Sequence, residues 1–172
     1  STGGSPDRPG PGAGPGVRKV LKAGHHSHVQ SDYPPNGTAT IDRTQVGFVF
    51  ATEPPKQIHV TGLAVQTRFV IPAGNPNAEV KAVAEIRQDT MLTSLTPHMH
   101  VRGKDMTYTA VYPDGASAVL LSVPGYKFNW QITSALAKTK LLTPATRVER
   151  VETVDTSPGN EDDPKRTKAA TR

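Results

Sequence analysis

The sequence predicts an all-β fold, an antiparallel jelly-roll-like β-sandwich, on two observations. Short segments rich in Val, Ile, Phe and Thr show the alternation of strands. Turn-forming Pro, Gly, Asn and Asp separate these segments at short, regular intervals. Only residues 133–142, "TSALAKTKLL", offer a helical turn, and a weak one. Many short strands with frequent turns are typical of sandwiches and jelly rolls.

The composition bounds the classes of protein to which this chain can belong. Its 172 residues suffice for one domain with a core, and its 15 glycines and 16 prolines predict irregular ends. The absence of cysteine excludes disulfides, a thiolate nucleophile and a Cys-based zinc site. No apolar run approaches the length of a membrane span. The net charge of +5 comes from scattered basic residues with few aromatics, so nucleic-acid binding is not predicted.

The two ends of the chain are predicted to be irregular. Residues 1–16, "STGGSPDRPGPGAGPG", cannot form helix or sheet, because proline removes donors and glycine adds conformational entropy. Residues 156–172 form a polar tail of similar character. Arms of this kind become ordered against their own domain or a neighbouring subunit. We therefore expect protein partners that are contacted through residues 1–16 and 156–172.

Residues 17–155 between these ends are predicted to form the sandwich. A hairpin is the clearest element, because Pro113, Asp114 and Gly115 form a turn between strand patterns at 105–112 and 117–123. The other predicted strands are residues 44–52, 57–65, 67–71, 78–86, 90–97, 126–132 and 146–154.

His98 and His100, in "LTPHMHVRG", are candidate metal ligands. Residues two apart in a strand face the same side with Cα atoms about 6.5 Å apart, so two imidazoles can reach one metal. A pair of ordinary surface histidines is the alternative, and the neighbouring Pro97 and apolar residues leave both interpretations open. Met99 should point to the opposite face. Methionine is a soft ligand suited to copper(I), but in a sandwich it more often fills the core.

A second histidine-rich stretch, "GHHSH" at residues 24–28, contains three histidines in four residues. Such a cluster can chelate copper or nickel, but it follows a Pro/Gly-rich arm and shows no group that would orient the rings. We interpret it as an adventitious site in a loop. His59 alternates with apolar residues and is predicted to be an ordinary half-buried histidine. There is no G-x-S-x-G turn and no glycine-rich phosphate loop.

The run "LTPHMHVRGKDMTYTAVYPDG", followed by "LLSVPGYKFNWQ", resembles the C-terminal domain of the copper type II, ascorbate-dependent monooxygenases. This is the group of peptidylglycine α-hydroxylating and dopamine β-monooxygenases, and the sequence is most similar to exported bacterial homologues. The likeness also includes residues 41–56 and 69–82, and it extends over about residues 17–165. The resemblance implies a jelly-roll fold.

The resemblance also implies a set of copper ligands. His98 and His100 correspond to two ligands of the copper that binds and activates dioxygen, and the third family ligand is a methionine at a position beyond Arg172. A histidine of the electron-supplying copper site corresponds to Asp32, and a further family histidine corresponds to Thr153. A carboxylate at position 32 is a poor substitute where copper(I) must be held.

The incomplete ligand set predicts that the isolated chain does not turn over substrate. We expect a monooxygenase-like domain that is an accessory or structural subunit of a larger exported redox or membrane-associated assembly, in the periplasm or outside the cell. A c-type cytochrome or another redox subunit is one partner that fits this role. The alternative is an oxygen-activating domain that binds copper through His98 and His100.

Overall fold

A computed structural model describes residues 16–26, 28–29 and 37–163, together with the backbone of residues 170–171. These residues fall into two compact units, which are divided between Thr61 and Gly62. The described residues contain strands but no helix, which confirms the all-β prediction. No part of the chain described here forms a helix that could cross a membrane.

The strands are numbered in chain order. They are β1 (Val17–Arg18), β2 (Gln57–Ile58), β3 (Val70–Ile71), β4 (Ala78–Glu85), β5 (Thr90–Leu95), β6 (Gly103–Val111), β7 (Ser117–Val123), β8 (Ser134–Leu142), β9 (Arg147–Val154) and β10 (Ala170–Thr171).

The largest element is a four-stranded antiparallel sheet in the order β4-β9-β6-β7. Strands β4 and β6 alternate between covered and more exposed side chains, because successive residues of a strand face opposite sides. The predicted hairpin joins β6 to β7. Its Gly115 has a φ of 86°, a left-handed conformation that glycine adopts without a steric penalty.

A second antiparallel ladder, β5 with β8, packs on this sheet and completes the β-sandwich arrangement. The core between the layers is built from seven buried residues: Met99, Met106, Tyr108, Ala110, Tyr126, Leu142 and Val148. Leu142 of β8 is fully buried there. The helical turn predicted for residues 133–142 is therefore wrong, because pairing with β5 and burial of Leu142 outweigh the helix propensity of Ala, Leu and Lys. The jelly-roll strand order stays a prediction.

A smaller apolar cluster lies at the other end of the larger sheet. It contains Ile71, Ala78, Val80 and Val154. Strand β3 pairs with β10 in antiparallel fashion beside it. The strand predicted over residues 67–71 is thus reduced to Val70–Ile71.

Two further strand predictions are wrong. Residues 126–132 form a loop with a turn, in which the Trp130 amide donates to the Lys127 carbonyl at 2.9 Å. Residues 44–52 adopt no strand, and residues 57–65 form one only at Gln57–Ile58, where β2 pairs in parallel with β1. The side chains of Phe48 and Phe50 are mainly exposed. Strand propensity is realised only where a partner strand and a buried face are available.

Candidate metal-binding site

His98 and His100 lie in the segment between β5 and β6. Both side chains are exposed, while Met99 between them is 5% exposed and belongs to the core. The alternation predicted from the sequence is therefore present, although the residues are not assigned to a strand. The two imidazole rings are neighbours, with centroids 5.3 Å apart and planes inclined by 86°.

This ring separation can be compared with the geometry of a metal site. Two imidazoles that bind one metal at about 2 Å in a tetrahedral arrangement place their centroids about 5 Å apart. The observed 5.3 Å fits this value. It also lies within the range of about 4.5–7 Å for ordinary edge-to-face aromatic contacts. The distance is thus compatible with a shared metal, and other contacts must indicate whether the rings are oriented for one.

Gln131 supplies such a contact. Its Nε2 donates to the Phe128 carbonyl at 2.8 Å, so its Oε1 is the atom that faces Nδ1 of His98. Because Oε1 only accepts hydrogen bonds, the Nδ1 of His98 carries the hydrogen, and in the neutral ring the lone pair then lies on Nε2. Metal-binding histidines commonly have this arrangement, in which an outer partner on one nitrogen fixes the tautomer that leaves the other free to ligate.

Tyr126 fixes the backbone between the two histidines. Its hydroxyl accepts a hydrogen bond from the Met99 amide at 3.1 Å and donates one to the Met99 carbonyl at 2.6 Å. Burial raises the pKa of the Tyr126 hydroxyl, so the group stays protonated and able to donate. Phe128, two residues further on, meets His100 edge-on with ring centroids 6.3 Å apart. The loop 124–133 therefore contacts every residue from His98 to His100.

Gly103 allows the close approach of these elements. A Cβ atom at this position would lie 2.6 Å from the Met99 Cβ and 2.9 Å from the Tyr126 Cδ1, both closer than real carbon contacts. The Gly103 amide also donates to the His100 carbonyl at 2.8 Å, which closes the turn after the histidines. The glycine of "HVRGK" is thus required by packing.

A buried ion pair lies beneath the site. Glu152 of β9 is 7% exposed, and its carboxylate lies 3.2 Å from the Arg150 guanidinium. Burial raises the pKa of Glu152, while Arg150 and then His98 act in the opposite direction. Glu152 and Arg150 stand opposite Met106 and Tyr108 in the β6–β9 ladder and so share the core face of the sheet. Ionised Glu152 is costly there, and the Arg150 charge offsets part of that cost.

The other predicted ligands do not join the histidine pair. Asp32 lies outside the described residues. Thr153 is on β9 opposite Glu79 and Asp105, with its side chain on the other face of the sheet from Glu152. Met106 is fully buried in the core and so fills it, as methionine usually does.

The described histidines of the "GHHSH" loop have few supporting contacts among the described residues. The side chains of His25, His26 and His28 are exposed, and the His25 amide donates to the Lys22 carbonyl at 3.3 Å. His59 is partly buried, as predicted. Within the described residues, no three or more His, Cys, Asp or Glu side chains are grouped to hold a metal. A third ligand of these types for the His98–His100 pair is thus not present among them.

Sequence reasoning missed the residues that support the pair. Tyr126, Phe128 and Gln131 were predicted to alternate along a strand, which gives no reason for them to converge on the histidines. The same loop also lines a groove of about 270 Å³ whose walls include Pro97, Trp130 and Ile132. The loop sequence "YKFNWQ" carries no pattern from which the contacts with the histidines could be predicted.

Comparison of the chain with protein-family models, with curated proteins and with solved structures finds no match. The function must therefore be inferred from the residues themselves, from the fold and from the geometry around His98 and His100.

Proposed function

We propose that this chain is a monooxygenase-like β-sandwich domain that contributes a two-histidine copper site to a larger exported assembly and is not a complete catalyst by itself. His98 and His100 are the residues that would hold the metal. The resemblance of "LTPHMHVRGKD" to the copper type II monooxygenases supports this proposal, and so does the arrangement of the two imidazoles.

The observation that carries the proposal is the hydrogen bond between His98 Nδ1 and Gln131 Oε1. It selects the tautomer with a lone pair on Nε2, beside a second imidazole whose centroid is 5.3 Å away. An outer partner of this kind on one ring nitrogen is usual for histidines that bind a metal through the other. Tyr126 adds to this argument, because a buried hydroxyl that bonds twice to Met99 fixes the spacing of the two rings.

The residues fit copper better than a hard metal. Imidazole suits copper, zinc and nickel, whereas magnesium and calcium prefer oxygen ligands. Copper bound here would supply one-electron chemistry toward dioxygen, as the resemblance implies. The contribution of the chain is to hold the two imidazoles in place and to keep the Nδ1–H of His98 donating to Gln131 Oε1.

Two ligands rarely suffice for copper that cycles between oxidation states, which favours the accessory role. No third His, Cys, Asp or Glu ligand accompanies the pair in the part of the chain that is described. Further ligands and a reductant would come from outside these residues, a c-type cytochrome or another redox subunit being one such source. Residues 1–16 and 156–172 are the segments that we propose for contact with these partners.

Copper(I) titration against a chromophoric chelator tests the proposal. The background variant replaces His25, His26 and His28 by alanine, which removes adventitious binding. In that background we expect one-to-one binding, and His98→Ala/His100→Ala should weaken it by more than about a hundredfold. Loss of ligands should exceed the roughly 10–100-fold effect of losing an outer-shell partner.

His59→Ala in the same background is the control, because this partly buried histidine lies in the other compact unit. It should leave the affinity unchanged. Equal copper affinity with and without His98 and His100 would refute the copper site. The purely structural accessory subunit would then be the remaining function.

A further inference from the structure

Arg102, two residues after His100, is held by a segment that follows β9. Its guanidinium Nε lies 2.8 Å from Oδ2 of Asp163, and its side chain is 14% exposed against 2% for Asp163. The Arg102 carbonyl also accepts a hydrogen bond from the Asp155 amide at 2.8 Å. The turn that carries His100 is therefore fixed through both the backbone and the side chain of one residue.

The segment from Asp155 to Asp163, here called the strap, is itself anchored by hydrogen bonds. Thr156 is fully buried, its hydroxyl donates to the Pro72 carbonyl at 2.6 Å, and it accepts from the Asn75 amide at 3.0 Å. Within the strap, the Asn160 side chain donates to the Asp155 carbonyl at 2.7 Å. The strap thus has one end fixed on the loop before β4 and its other end, Asp163, on Arg102.

A second ion pair of the strap shows what distinguishes Asp163. Asp162 lies 3.9 Å from the Lys127 ammonium, with side chains that are 66% and 75% exposed. Solvent screens such a pair, so it contributes little. The Arg102–Asp163 pair is short and shielded from water, so its loss should cost more than the loss of an exposed pair. Of these two ion pairs, only the Arg102–Asp163 pair is short and buried enough to hold the turn that carries His100 in one position.

We propose that Asp163 is a positioning residue for His100 and acts through Arg102. The strap selects the conformation of the turn in which the imidazole of His100 stands beside that of His98. The copper part of this proposal rests on the proposed function, whereas the positioning of His100 in the metal-free protein does not.

The experiment compares Asp163→Asn with Asp162→Asn, two neighbouring and chemically identical substitutions. In the metal-free protein, nitrogen–proton NMR of the imidazoles should show shifted ring signals for His100 in Asp163→Asn. The signals of His25 should not move, and Asp162→Asn should resemble the wild-type protein throughout. In the background without His25, His26 and His28, the copper(I) affinity should fall about tenfold for Asp163→Asn and less than about twofold for Asp162→Asn.

Arg102→Leu/Asp163→Leu separates positioning from stability, because replacing both partners by apolar residues leaves neither charge of the pair buried. If Asp163 positions His100, this variant regains thermal stability but keeps the displaced His100 signals and the weakened copper binding. Full recovery of the His100 signals together with stability would overturn the proposal. So would wild-type His100 signals in Asp163→Asn. Should wild-type protein fail to bind copper at His98 and His100, the proposed function fails, and the NMR comparison still decides the role of Asp163.

Discussion

The chain has two histidine-rich segments that differ in their support. His98 and His100 lie on a segment whose backbone bonds to the buried Tyr126 hydroxyl and whose first ring bonds to Gln131. The "GHHSH" loop has more histidines, which are exposed like those of the pair, but among the described residues their rings have no partner comparable to Gln131. By the number of histidines, the "GHHSH" loop would be the better candidate metal site. By the contacts that orient the rings, the His98–His100 pair is the better candidate, and mutation can remove these contacts one at a time.

The largest effect is expected from Gly103→Ala. The new Cβ would meet the Cβ of Met99 at 2.6 Å, so the histidine segment or Tyr126 must move. We expect a loss of about 3 kcal/mol in the free energy of unfolding, as for an overpacked core. Copper binding at His98 and His100 should weaken as well. Urea unfolding and copper(I) titration measure the two effects.

Gly125→Ala is the matched control for this substitution. A Cβ at Gly125 has no atom within 4 Å, so its effect should stay within about 0.5 kcal/mol. Equal stability of the two variants would mean that the crowding at Gly103 is relieved at little cost. The histidine segment would then be less constrained than its contacts suggest.

The sequence was informative where local pattern determines the structure. The hairpin at Pro113–Asp114–Gly115 and the alternation in 78–86 are properties of neighbouring residues, and both are present. The opposite directions of Met99 and the two histidines follow from the same period of two. Local pattern could not reveal which segments pair. Residues 44–52 carry a strand pattern without a strand, whereas 134–142 form a strand without a convincing pattern.

The candidate site was predictable only in part for the same reason. His98 and His100 are recognisable by their spacing, but their support comes from residues that are distant in sequence. Tyr126 is separated from Met99 by 27 positions and Gln131 from His98 by 33. Asp163 reaches Arg102 from beyond the last long strand. Such contacts depend on how the loops fold back over the sheet, which single-sequence periodicity does not encode.

Tyr126→Phe should have an intermediate effect. It removes the hydroxyl and leaves the buried amide and carbonyl of Met99 without that partner, while the ring still fills the core. Unsatisfied buried groups of this kind cost about 2 kcal/mol in the free energy of unfolding. Urea unfolding measures this loss. Tyr112→Phe, at a partly buried tyrosine packed against the same core, should change stability much less. Similar losses in the two variants would argue that the Met99 hydrogen bonds are not specifically important.

The smallest effect is expected from Gln131→Met, which keeps the length of the side chain but removes the acceptor for His98 Nδ1 and the donor to the Phe128 carbonyl. Stability should change little, because the hydrogen bond between these two side chains lies at the surface of the protein. The copper(I) affinity of the His98–His100 pair should fall about tenfold, as for other outer-shell partners. Nitrogen–proton NMR should show His98 losing its preference for the Nδ1–H tautomer. Gln131→Glu keeps an acceptor at this position and should preserve both the tautomer and the affinity. If the wild-type protein, Gln131→Met and Gln131→Glu all show the same His98 tautomer, Gln131 does not orient the ring. The His98–His100 pair would then be no better oriented for a metal than the histidines of the "GHHSH" loop.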